Sequence, residues 1–176
     1  MHNTEDKKWW VEHGRKKEDD FVEKVAPFLG LNAIINPEKK TNPYKPDLIV
    51  NKNISDLKFQ EEPFFKSQIL YNVDNQYAVT FNHKDYISYN KNYPNIDIYF
   101  WVDWKTKSRK IGNITYEVRP MKGIWKARFQ ILKNKIVEKE TNLHSYTRRV
   151  DDTEGNGKAS YVLDVRWFEN LFLRLK

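Results

Sequence analysis

The chain has no cysteine. That excludes disulfides, iron–sulfur clusters and thiolate zinc sites. Histidine is scarce too: His2, His13, His83 and His144 are scattered without ligand spacing, so a zinc site built on imidazoles is not expected. No run of about 18 apolar residues occurs, and no segment is expected to span a membrane. The opening MHNTEDKKWW lacks the apolar stretch of a signal peptide, so the cytoplasm is the default compartment. Internal repeats, low-complexity tracts and Gly/Ser linkers are also missing. One domain over residues 1–176 is therefore expected, long enough to bury its own core.

What the chain does have is charge and aromatic rings. Charged residues make up 31% and aromatics 15%, a composition too aromatic for a disordered chain. The net charge of +7 favours polyanions such as DNA, RNA or acidic lipid. Basic residues cluster at Lys105, Lys107, Arg109 and Lys110, at Lys122, Lys126 and Arg128, and at Arg148 and Arg149. A solvated surface accounts for any one of these clusters equally well.

Pattern and punctuation predict a helix over residues 4–26, capped by Asn3 or Thr4 and stopped or kinked by Pro27. Residues 31–36 (LNAIIN) read as a first strand, followed by a polar, proline-punctuated loop over 36–46. Residues 47–50 and 54–59 read as two strands around NKN. Residues 63–72 carry a weak helical pattern. A strand over 76–81, a short helix over 83–92 and a long central strand over 96–104 follow. Further expectations are a strand at 114–119, a helix at 122–135, a turn at 151–158, a strand at 161–167 and a closing helix at 167–176. Helices interspersed with strands define an α/β or α+β layout.

The stretch KPDLIVNKNISDLKFQ puts Asp47, Asp56 and Lys58 into two otherwise apolar strands. If Asn51 and Lys52 form a two-residue hairpin loop, Asp47 sits directly opposite Asp56, with Cβ atoms roughly 4.5–5.5 Å apart. A three-residue loop would shift the register by one. Lys58 is two residues beyond Asp56 and shares its face. Two facing carboxylates repel unless a cation lies between them, and a divalent ion would serve. An exposed edge hairpin with solvated charges is the plain alternative. Winding the first helix at about 100° per residue places Trp10, Val11, Phe21, Val22, Val25 and Leu29 within an arc of about 120°. Glu18 falls near the middle of that arc, Gly14 lies on it, and Asp19 and Asp20 point away. A carboxylate centred on an apolar stripe calls for a cation.

Together these residues resemble the PD-(D/E)XK nuclease superfamily, whose core is also called restriction-endonuclease-like. The signature is Pro46-Asp47, then Asp56-Leu57-Lys58, preceded by a helix with the pattern Gly14-Arg-Lys-Lys-Glu18-Asp-Asp-Phe21. The match spans roughly residues 10–105. The resemblance implies a central mixed β-sheet flanked by helices. It implies hydrolysis of DNA phosphodiester bonds with Mg²⁺ or Mn²⁺, most simply as an endonuclease. Asp47 and Asp56 would bind the metal, Glu18 would complete its shell, and Lys58 would position or deprotonate the attacking water. The charge pattern does not exclude RNA, and a homodimer would suit cleavage of both strands, although no coiled coil or clear interface is legible. A non-catalytic nucleic-acid-binding protein on the same fold is the alternative, and a structural module with charged surfaces is a third reading.

A second DxK, Asp103-Trp104-Lys105, lies on the same strand as Asp97. The six-residue gap between Asp97 and Asp103 is roughly 20 Å, so they cannot share an ion. Gln68 and Tyr71 follow the hairpin at a spacing too short for the Gln–Tyr pair of the exonuclease branch. Phe64, Phe65, Trp101 and Trp125 could stack on bases, but burial is the commoner use of such rings.

Overall fold

The computed structural model describes residues 7–141, 143–145 and 159–175, with side chains from Glu12 onward. The first helix, α1 (Lys7–Asp20), passes into a wider π-type turn (Phe21–Val25) and a last turn, α2 (Ala26–Phe28). Pro27 therefore sits inside the helical run rather than ending it. Proline cannot donate a backbone hydrogen bond and collides with the carbonyl four residues back. The preceding turn is wide, with Ala26 N donating to Phe21 O.

Next come β1 (Ala33–Ile35), β2 (Leu48–Val50), β3 (Asn53–Gln60), α3 (Ser67–Tyr71), β4 (Ala78–Asn82) and α4 (His83–Asn92). The chain continues through β5 (Asp97–Asp103), β6 (Ser108–Ile111), β7 (Ile114–Glu117) and β8 (Met121–Arg128). It then forms α5 (Phe129–Glu138), β9 (Leu143–Ser145), β10 (Ala159–Asp164) and β11 (Glu169–Leu175). The fold is α/β. Its main sheet has six strands in the order β1-β2-β3-β5-β8-β11. Only β3 and β5 run parallel, so the sheet is mixed. Strands β4, β10 and β9 form a smaller sheet, and β6 and β7 a separate hairpin.

The apolar character of β5 follows from its central place. Ile98, Phe100 and Val102 face one core together with Val79, Phe81, Phe129 and Leu132. Tyr99 faces the other, with Phe21, Leu48, Val50, Leu57 and Ile124. Val22, Val25 and Leu29 pack against this second core, as the stripe on the first helix predicts.

The expected closing helix is a strand, and the first half of the helix expected at 122–135 is one too. Residues 121–128 form β8, in which Met121, Gly123, Trp125 and Ala127 alternate inward, and the helix α5 starts only at Phe129. Residues 169–175 form β11, the edge strand paired with β8 through a bulge between Asn170 and Phe172. Both stretches also satisfy an i, i+4 spacing, and pairing in the sheet overrode it. The expected cap at Asn3 or Thr4, the turn at 151–158 and the Arg148/Arg149 cluster lie outside the described residues. Among the described residues no helix is long and apolar enough to cross a membrane.

Candidate active site

The β2–β3 hairpin turns on Asn51 (φ 49°) and Lys52 (φ 69°), the left-handed pair of a two-residue loop. Val50 pairs with Asn53 and Leu48 with Ser55. One step further back, Asp47 stands opposite Asp56, as the sequence predicts. Lys58 follows on the Asp56 face, and its Nζ lies 2.7 Å from Asp56 Oδ2. Asp47 and Asp56 are in hydrogen-bonding contact, and Asp47 also adjoins Glu18. The structure thus brings all four expected residues, Glu18, Asp47, Asp56 and Lys58, into one cluster. Asp19 is exposed, and Asp20 is bonded to Lys24, so the helical phase that singled out Glu18 holds.

Asn36, Lys39 and Asp85 complete this cluster, and sequence reasoning missed all three. Lys39 Nζ donates to both Glu18 carboxylate oxygens at 2.7 Å and to Asp47 Oδ1 at 2.5 Å. Lys39 rides on a short 3-10 turn (Pro37–Lys40). Asn36 fixes that turn: its Oδ1 accepts from Glu38 N, and its Nδ2 donates to Pro46 O. The backbone N–H of Asn36 also donates to Asp47 O, so one buried residue sets both Lys39 and Asp47. Asp85, in the first turn of α4, accepts from Lys58 Nζ at 2.6 Å. The only advance signal was generic: a lysine in the loop before Pro46-Asp47, and an acid just after a helix cap.

The electrostatics follow from crowding like charges out of water. Burial and the neighbouring Asp47 charge push the Asp56 carboxyl up to about 8. Burial and Asp47 likewise push Glu18 up to about 7, against the pull of Lys39. Burial would raise Asp47 as well, but Lys58, Lys39 and the hydrogen bond from Asp56 outweigh it and hold Asp47 below the usual range. Asp47 and Asp56 therefore share a proton near neutral pH. Burial acts against the Lys58 ammonium. The charges of Asp56, Tyr89, Asp85 and Asp47 overcome it and hold its pKa well above the ordinary value.

The residues fit a divalent cation in two respects. Fully ionised, Glu18, Asp47, Asp56 and Asp85 carry four negative charges against two positive on Lys39 and Lys58. The excess matches one divalent ion. Asp56 Oδ2 is also buried, and among the described residues no donor is aligned to hydrogen-bond it, although Lys58 Nζ lies 2.7 Å away. Such an oxygen is suited to a hard cation. Among the described residues no three His, Asp or Glu side chains converge as a ready-made metal shell, and Lys39 holds the position between Glu18 and Asp47.

Two clefts meet at this cluster. One, of about 840 Å³, is lined by Asp47, Asp56, Lys58 and Asp85. The other, of about 400 Å³, is lined by Gly14, Lys17 and Glu18. Lys58 and Asn82 line both. At the larger mouth Tyr44 is 72% exposed, with Lys84 Nζ 5.1 Å from its ring centre.

The other candidates resolve differently. Asp97 pairs with Lys126 and Arg128, and Asp103 with Lys105 and Lys122, at opposite ends of β5. Two basic clusters are thus partly neutralised by carboxylates of their own sheet. Phe65 and Trp125 are core residues, and Trp101 packs edge-on against Phe59. Tyr71 bonds His144 away from the cluster, and Gln68 bonds Asn72. Compared with known protein families, curated proteins and solved structures, the chain matches none.

Proposed function

We propose that the chain is a metal-dependent nuclease of the PD-(D/E)XK type, built on a restriction-endonuclease-like core and hydrolysing DNA phosphodiester bonds. One observation carries this reading: Asp47 and Asp56 face each other on a hairpin, with Lys58 beside them and Glu18 joined from the first helix, where two clefts meet. Asp47 and Asp56 would hold Mg²⁺ or Mn²⁺, with Glu18 completing the ligand set. When bound, such an ion supplies a water of lowered pKa and polarises a phosphoryl oxygen.

The protein's own groups do the rest. Lys58, anchored between Asp56 and Asp85, aims an ammonium at the place where negative charge develops on phosphate. Its raised pKa suits it to hold a proton and orient a water rather than to remove one. The larger cleft admits the strand, and the net charge of +7 draws it in. DNA over RNA, and endonuclease over exonuclease, rest on the resemblance. The non-catalytic alternative is favoured by one observation, the built-in cation Lys39 between Glu18 and Asp47. Cleavage of plasmid and single-stranded DNA in Mg²⁺, Mn²⁺ or EDTA separates the two readings.

A further inference from the structure

We propose that Lys39 is a displaceable counter-ion of the acidic cluster, holding Glu18 and Asp47 together until a divalent cation takes its place. The inference rests on the reading that this cluster binds such an ion. Lys39 Nζ contacts three carboxylate oxygens, two on Glu18 and one on Asp47, and so occupies the place a bridging cation would take. Glu18 and Asp47 cannot both keep those bonds and give the same oxygens to a metal. A second observation points to a ligand beyond the lysine. Asp56 is only 3% exposed, and among the described residues its buried Oδ2 has no aligned hydrogen bond although Lys58 Nζ lies 2.7 Å away, so this third carboxylate is not served by Lys39.

The two lysines are held differently. Lys58 projects from a sheet strand and is clamped by Asp56 and Asp85 on either side. Lys39 stands on a single turn between exposed Glu38 and exposed Lys40, and among the described residues Glu18 and Asp47 tether its ammonium. The Lys39 side chain is 19% exposed against 18% for Lys58, so its departure costs the three carboxylate contacts, which an incoming divalent ion takes over, while the flexible stem on a surface turn lets the ammonium reach water. Lys39 is therefore the cation that leaves. The lysine and the metal compete for the same oxygens, which lowers the apparent metal affinity.

Calorimetric titration of Mn²⁺ into the full chain and its Lys39→Met variant tests this. The variant should bind Mn²⁺ roughly tenfold tighter, within the range usual for coupled equilibria. Equal or weaker affinity in the variant would overturn the proposal while leaving the metal reading intact. Absence of Mn²⁺ binding in both proteins would overturn both. A measurement on wild type alone guards against a variant that fails to fold. The rate of Lys39 modification by an amine-reactive reagent, read by peptide mass spectrometry, should rise several-fold when Mn²⁺ replaces EDTA. An unchanged or slower rate would show that Lys39 stays in place.

Discussion

Replacing Lys58 by Met removes the ammonium and keeps most of the apolar stem. In the native cluster that ammonium lies 2.7 Å from Asp56 and 2.6 Å from Asp85. Removing one partner of a buried pair costs about 3–5 kcal/mol, because the other charge is left uncompensated. Two features place Lys58→Met near the low end. The Asp56 carboxyl, already pushed up to about 8, can take a proton. Asp85 is partly open to water and keeps some hydration. A loss of about 3 kcal/mol corresponds to roughly 6–12 °C in Tm for a chain of this size. Cleavage, assayed well below that Tm, should fall at least about 100-fold, the lower range for losing a group that orients a reactant or stabilises charge. DNA affinity in Ca²⁺ should change little, since one lost phosphate contact lowers the salt slope by only about 1. Equal cleavage by wild type and Lys58→Met would remove Lys58 from the mechanism. An unchanged Tm would refute the picture of a buried, paired ammonium.

A Cβ built on Gly123 would lie 2.3 Å from the buried Trp125 ring, so Gly123→Ala should cost about 1–3 kcal/mol by overpacking. A thermal melt checks this, and an unchanged Tm would contradict the strand at 121–128. Glu18 and Asp56 keep their protons up to about 7 and about 8 in the folded chain but lose them near ordinary carboxylate values when unfolded. The folded chain then binds more protons in that window, and metal-free stability from these groups is lost as pH rises through it. The melting temperature in EDTA should fall from pH 6 to pH 8, and less steeply in Asp56→Asn. Stabilisation by Mn²⁺ should grow over the same range, because the ion needs the deprotonated carboxylates. A Tm that rises equally in both proteins would reverse the assigned signs.

The site was legible where periodicity constrained it. Two left-handed residues at Asn51 and Lys52 fix a hairpin register that the NKN spacing suggested, so the Asp47–Asp56 opposition followed. Helical phase separated Glu18 from Asp19 and Asp20 because only Glu18 fell among apolar neighbours. The pattern of residues 83–92 marked α4 well, and its span matches, although the Asn82 side chain makes no capping hydrogen bond. Lys39 and Asn36 were not legible, since a loop bond across 21 residues leaves no period in the sequence. The strand β8 was misread because Lys122 and Lys126, four residues apart, fit one face of a helix as well as one face of a strand, and Leu171 and Leu175 do the same in β11. Their partners decided the matter: β8 is covered by β5 on one side and β11 on the other. Phe172 and Leu171 pack against the core that holds Phe21, a contact no local window contains.

In the proposed function Asp47 and Asp56 support phosphodiester hydrolysis with a divalent metal. Supercoiled plasmid incubated with wild type, Asp47→Asn and Asp56→Asn in Mg²⁺, Mn²⁺ or EDTA tests it most directly, with binding to the same DNA followed in parallel. Wild type should give nicked and linear DNA with metal and none with EDTA, and neither variant should cut although both still bind. Wild-type protein that binds the plasmid yet leaves it intact in both metals would rule out the nuclease and favour a non-catalytic binder.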